Sequence, residues 1–423
     1  MSSNSDSTVI LKQTSSTFTD STTRAASQSR WHALDFQRGM IMTLMAFSHS
    51  REYSGLDHYG NTHWDHSPAW LGYGWLDMVQ QLLVSSAVAG GFFMMMGVGI
   101  FFLWHARLKD GQTPAQIFNY LILRGSLLIL LQLTVLEAFE VFTAGKSFFL
   151  YAGVFLTLGL GMMGAACCMR LANWLGKQRY SKGKPWEYII PAIFVIAIPL
   201  IMQRLMNPLD GLQPTAWQIL VFVTGKFNYQ GIVIDINYTL FPWFPAVAMG
   251  LIVGKILQAR DAQSIQRLKR LTFILLASWF MLRTANLFNW TNFGDYKHLA
   301  AGETRSWISW FCASKHPPSI SYFLWAFGIN LLGITAWYQL EQYVPDFMRR
   351  IQFLKIFAQC ALFFFIMHWF VYYGLSFFLH EKLTSPVALL GFWLAGLVVL
   401  YYFCKIFHKF KFSKPKLSLW RMF

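Results

Sequence analysis

Charge is what this chain has least of. Only 13% of its 423 residues are Asp, Glu, Lys or Arg, about half of the 25% typical of a soluble domain. Acids are the scarcer sign, 19 against 35 Lys and Arg. Cysteine is nearly missing: Cys167, Cys168, Cys312, Cys360 and Cys404 include one adjacent pair and no metal-ligand spacing. That excludes a disulfide framework and a zinc ribbon, and leaves five small apolar side chains. The first thirty residues lack any apolar run and carry fifteen Ser or Thr. They predict a disordered tail, not a signal peptide.

Apolar side chains are abundant. The chain is 55% hydrophobic and 18% aromatic, with 40 Phe and 18 Trp, and its mean hydropathy is +0.39. Such a composition expects surface facing lipid, hence an all-α, polytopic integral membrane protein. The net charge of +16 would also suit a nucleic-acid binder. Here, however, the basic residues fall in short clusters between apolar runs, as the positive-inside rule requires. No nucleic-acid partner is expected.

Ten spans are expected (range nine to eleven), near 33–50, 73–104, 116–142, 148–170, 187–205, 239–257, 271–288, 319–340, 351–378 and 387–408. Lys177 to Lys184, Lys255 to Arg270, Arg349 to Lys355 and Lys405 to Arg421 are the basic stretches. Ten crossings put all of them on one side with both termini, which would be cytoplasmic. The segment 217–230 is too short to cross and too apolar for a free loop, so it is expected to be re-entrant or interfacial. The organisation is then a tail (1–30), one transmembrane domain (31–408) and a basic cytoplasmic tail (409–423).

Titratable groups gather after the first span, where Leu44 to Trp70 hold His49, His58, His63 and His66 with Arg51, Glu52, Asp57 and Asp65. Within span one, Arg38 and His49 are eleven residues apart, which at 100° per residue leaves them about 20° apart on one stripe with Met42 and Met45. Asp35 and Arg38 are either an i,i+3 pair or the inner end of a pathway between the two faces. Arg124 and Glu137, in span three, are read as a structural ion pair or as substrate contacts. The Gly steps of "AVAGG" and "MGVG" in span two are expected where helices approach closely. His63 and His66 are spaced as two metal ligands, but two ligands do not make a site and no metal is expected. Acid–base or substrate-binding work suits these histidines better, because histidine titrates near neutrality. On the same outer side, Arg283 and Asn286 end span seven, and Lys315 and His316 precede a double proline. His368 lies within span nine as either a structural or a functional histidine.

Six stretches, in order over roughly residues 30–380, carry a resemblance. They are "ALDFQRGMIMTLMAFSHSREY", "LILRGSLLILLQLTVLE", "YTLFPWFPAVAMGLIVGKI", "MLRTANLF", "SKHPPSISYFLWAFG" and "FFFIMHWF". Together the chain resembles bacterial membrane acyltransferases related to heparan-α-glucosaminide N-acetyltransferase. The resemblance implies transfer of an acyl group, acetyl first, from cytoplasmic acyl-CoA to a hydroxyl or amine acceptor such as a sugar at the outer face. It also implies residence in a bacterial inner membrane; a homodimer stays open. Carried over by position, His49 falls where the lysosomal enzyme has asparagine. That enzyme's catalytic histidine lies in the next loop, corresponding to His58, His63 or His66, with His63 and His66 preferred. Asp35, Arg38 and Arg124 would hold CoA, and Arg283, Asn286, Lys315 and His316 would serve the oxyanion or the acceptor. The chain departs from the bacterial pattern at "LFNW" and at His316, both on the acceptor side, so the resemblance does not extend to a glucosaminide substrate.

Two other classes compete on the residues alone. A proton-coupled or small-solute transporter would use the same intramembrane charges, although no inverted repeat is visible. A membrane cytochrome would need histidines on facing spans, for which only His49 and His368 are placed.

Overall fold

The computed structural model describes residues 31–54, 80–144, 149–178, 183–206, 215–288, 313–379 and 385–415, with short pieces at 290–291, 293–294, 310–311, 383, 418 and 420. The 1–30 tail and the loop holding His58, His63 and His66 lie outside these residues, as does the end of the basic tail.

The architecture is all-α with one small sheet. The helices are α1 (His32–Ser54), α2 (Ser86–Lys109), α3 (Pro114–Leu131), α4 (Glu137–Ala144), α5 (Val154–Lys177), α6 (Trp186–Met206), α7 (Ala216–Val221), α8 (Leu240–Leu257), α9 (Ala262–Leu287), α10 (Ile320–Tyr343), α11 (Pro345–Arg350), α12 (Phe353–Gln359), α13 (Ala361–Ser376) and α14 (Pro386–Ser413). Among the described residues, seven helical stretches are long and apolar enough to cross a membrane, or eight if the α12–α13 pair, bent by 101°, is one span. The protein is membrane-embedded. Helices stand at all ten expected places, but α1 and α9 are not among those seven. α1 carries Asp35 and Arg38, and α9 opens on Arg267, Lys269 and Arg270.

Local signals set the boundaries. Thr113 caps α3 through a reciprocal bond pair with Gln116, with Pro114 in the first turn. Asp261, Ser319 and Ser385 accept backbone N–H groups at the starts of α9, α10 and α14. The small-residue steps of α2 do pack against neighbours. A Cβ on Gly97 would lie 2.1 Å from the Val247 carbonyl oxygen of α8, and one on Gly250 would lie 2.0 Å from that of Met94. Only glycine admits such a crossing.

The expected re-entrant segment is something else. Residues 217–230 form the short α7 and one arm of a hairpin, β2 (Gly225–Tyr229) and β3 (Ile232–Ile236). Gln230 and Gly231 have φ of 51° and 87°, the two positive values of a type I′ turn. β1 (Phe149–Ala152) pairs in parallel with β3, giving the order β1-β3-β2. Period-two patterning over ten residues was hidden by the apolar run before it.

Two π-turns occur among the described residues, Gln80–Ser85 leading into α2 and Gln132–Leu136 between α3 and α4. Such bulges re-aim side chains and gather at functional sites. The second of these packs against β1.

Candidate functional site

Where α1 ends, a cavity of about 840 Å³ lies between α1, the π-turn side of α3–α4, the sheet, the 315–316 turn and α13. The π-turn makes this possible. It directs Gln132 to β1, where Gln132 donates to the Tyr151 carbonyl (3.3 Å) and accepts from the Phe155 amide (3.2 Å). Glu137 accepts the Tyr151 amide at 2.8 Å. With β1 pinned by these two side chains, Glu140 and the Tyr151 ring both line the cavity. Glu137 therefore serves β1, while Arg124 lies in the middle of α3.

His49 and Glu52 project from the last turns of α1 into this space. His49 Nδ1 lies 3.3 Å from Glu52 Oε2, and its ring packs 4.2 Å from Trp369 and 5.0 Å from His368, centre to centre. On the sheet side, Lys226 and Asp235 pair at 2.9 Å, and Asn237 donates to the Tyr151 hydroxyl at 3.1 Å. Burial raises the phenols of Tyr151 and Tyr238 above their ordinary range, so both stay protonated donors. The cavity thus brings a histidine, carboxylates, lysines and neutral donors to one space.

Lys315 and His316 close the remaining wall. The Lys315 amine is deep in the protein yet half-buried, because it faces the cavity instead of packed side chains. Burial pushes its pKa down to about 8, against the partly opposing attraction of Glu52. His316 is held well below the usual histidine range by burial first and by Lys315 second, so it is neutral at pH 7. Its buried Nδ1 has no hydrogen-bond partner among the described residues.

A second cavity, about 390 Å³, lies nearer the start of α1. Arg38, Arg124 and Lys411 line it, the last from the far end of α14. Arg38 pairs with Asp35 at 3.7 Å, while Asp35 itself does not line the cavity. The stripe read from the sequence is visible here: Arg38 faces the basic cavity, Met45 and His49 face the histidine cavity, and Met42 is buried between them.

Other expected residues lie elsewhere. Arg283 is buried and donates to the Trp310 carbonyl at 3.0 Å, and Asn286 donates to that of Phe293 at 3.3 Å. Neither lines a cavity described above; their partners are the Trp310 and Phe293 carbonyls. His368 bonds the Phe365 carbonyl through Nδ1. Its ring meets His49 edge-on at 5.0 Å. His63 and His66 lie outside the described residues.

Sequence reasoning passed over Glu52, Glu140, Asp235 and Asn237 as site residues. Glu140 had a signal, an acid inside an apolar span. Asp235 and Asn237 had none until the hairpin was recognised.

No protein-family model matches this chain, and no curated protein matches it significantly. The resemblance set out above therefore stands on its six stretches of sequence.

Proposed function

We propose that the chain is a transmembrane acyltransferase, taking an acyl group (acetyl first) from cytoplasmic acyl-CoA to a hydroxyl or amine acceptor at the opposite face. The observation that carries this reading is the stacking of two unlike cavities along one helix. The basic one offers three cations to the phosphates of CoA, and the other offers a histidine and carboxylates where a thioester and an acceptor would meet. A space of about 840 Å³ is within the usual size of small-molecule sites, and its aromatic and acidic lining suits a polyhydroxy acceptor such as a sugar.

In this reading the chain crosses ten times, with α1 and α9 as its polar spans and both termini cytoplasmic, in a bacterial inner membrane. His49 accepts the acceptor's proton as its oxygen or nitrogen attacks the thioester carbonyl. Lys315 and the Tyr238 hydroxyl stabilise the oxyanion. The C–S bond breaks, and the CoA sulfur takes the proton from His49. Glu52 orients the imidazole. His63 and His66, from the adjoining loop, remain further candidates for the base.

The test is turnover of radiolabelled acetyl-CoA by purified protein in vesicles, with a panel of sugars inside or outside. Label should reach an acceptor only on the face opposite the CoA. A transporter predicts something different: solute or proton flux without CoA and no label transfer, an outcome that would refute the proposal.

A further inference from the structure

Phe92 lines both cavities. Phe155 lines the basic cavity and its neighbour Val154 the histidine cavity, while Phe365 lines the histidine cavity from α13. The three rings meet: Phe155 and Phe365 are 4.4 Å apart between centres, and Phe92 and Phe365 are 5.8 Å apart. On the α1 wall the change of compartment falls between Ile41 and Met45, with Met42 fully buried. The two spaces are therefore separated by a layer about one aromatic ring thick.

That layer has two properties. None of the three rings carries a polar atom, so an ion or a charged acyl group crossing it would lose its hydration with nothing in return. The rings also differ in freedom. Phe155 and Phe365 are buried in the core, whereas Phe92 is half-buried and faces empty space on both sides. Of the three, Phe92 is the ring least enclosed by packed side chains.

We propose that Phe92, Phe155 and Phe365 form the selector through which the acyl group passes, admitting uncharged, unbranched acyl chains and refusing branched or charged ones. The inference rests on the acyl-transfer reading. With the nucleotide at Arg38 and the thioester at His49, the pantetheine arm must occupy the gap that Phe92 leaves. The acyl group goes ahead of the arm through the same gap. A straight chain has the cross-section of the unbranched cysteamine and β-alanine stretch of the arm and threads; isobutyryl, branched beside the carbonyl, does not, and succinyl carries a carboxylate into an apolar layer. Chain length is not what this gate measures.

Two measurements on the full-length protein test the selector. The first compares turnover of acetyl-, butyryl-, isobutyryl- and succinyl-CoA. The parent should favour butyryl over isobutyryl by at least about tenfold, the smaller end of what one misplaced methyl group is worth in a fitted pocket. Phe92→Ala should reduce that ratio about tenfold, with Phe92→Leu between. The second places Leu128→Cys, in the basic cavity, in a cysteine-free background. A membrane-impermeant thiol reagent is then applied from the face bearing the histidine cavity. Labelling should be negligible with Phe92 present and appear with Phe92→Ala. If the ratio and the labelling are both unchanged in the Phe92→Ala and Phe92→Ala/Phe365→Leu forms, the selector is wrong while acyl transfer stands. If labelling opens but no form turns over any acyl-CoA, the acyl-transfer reading falls and the selector falls with it.

Discussion

Glu52 Oε2 lies 3.3 Å from His49 Nδ1, one turn further along the same helix. A carboxylate so placed holds one ring nitrogen and leaves the other directed into the cavity, where a proton can be taken up. The pair is built entirely from the i,i+3 spacing of one rigid element, so its geometry does not depend on a loop.

Glu52→Gln should therefore lower turnover by about tenfold to a hundredfold, the scale of a base held about 1 Å out of place. KM for acyl-CoA should not change, and Glu52→Asp should recover part of the loss. A Glu52→Gln form with parental kcat would show that the carboxylate has no orienting role.

Removal of the base is harsher. His49→Ala should cost about 10²–10⁴-fold in kcat while acyl-CoA binding, measured by calorimetry, stays intact. Should the variant keep near-parental turnover, the base lies at His63, His66 or His316, and each is tested in the same way.

Lys315 supplies a pH prediction. Its pKa is lowered from the ordinary lysine value to about 8 by burial, so the side chain is a cation below pH 8 and a neutral amine above it. A step that uses this cation should fall as pH rises through about 8. Lys315→Arg, whose guanidinium stays charged throughout, should hold its activity to beyond pH 10 even if its peak rate is lower. The sign for stability is the reverse: a folded pKa below the unfolded one favours the native state most above about pH 10.5, and that advantage is lost as pH falls toward 8. A rate profile for Lys315→Arg with the same basic limb as the parent would exclude Lys315 from the reaction.

Topology is directly accessible. Single cysteines at Tyr229, in the hairpin, and at Lys269, at the start of α9, should label from opposite faces of sealed vesicles. Labelling from one face would remove the ten-span arrangement and the sidedness of both cavities.

The α2–α8 crossing gives a stability test. Gly97→Val puts side-chain carbons where the Val247 carbonyl oxygen already lies within 2.1 Å of a Cβ position. Overpacking of this sort costs about 1–3 kcal/mol or more, so the melting temperature in detergent should fall by several degrees. Gly391→Val, where a Cβ meets nothing within 4 Å, is the control and should melt like the parent.

The long helices were legible in the sequence because most are apolar runs bounded by charge or a cap, and every expected place holds a helix. The α1 stripe was legible too, since spacing alone puts Arg38 and His49 on one side of a helix. What could not be read was assembled from distant pieces. Arg124 and Lys411 come to Arg38 from helices 86 and 373 positions away in the chain, and no local pattern encodes that. The sheet was missed because β1 and the hairpin are four or five residues each, short enough to vanish beside spans of twenty. Arg283 and Asn286 misled for a different reason: polar residues at a helix end satisfy a loop's carbonyls as readily as they bind a ligand.

The Gln132–Leu136 π-turn amounts to one residue slipped into an otherwise regular helix. In the stretch running from α3 to α4, everything beyond Gln132–Leu136 is consequently rotated by about 100° from where an unbroken helix would have carried it. Glu140, about one turn past that slip, reaches the histidine cavity by virtue of it. The lesion to which this protein is most exposed is thus a deletion. Loss of the Thr134 codon would restore an ideal helix, keep every hydrophobic residue and shorten the span by a single position, and yet turn the acidic wall of the site toward lipid.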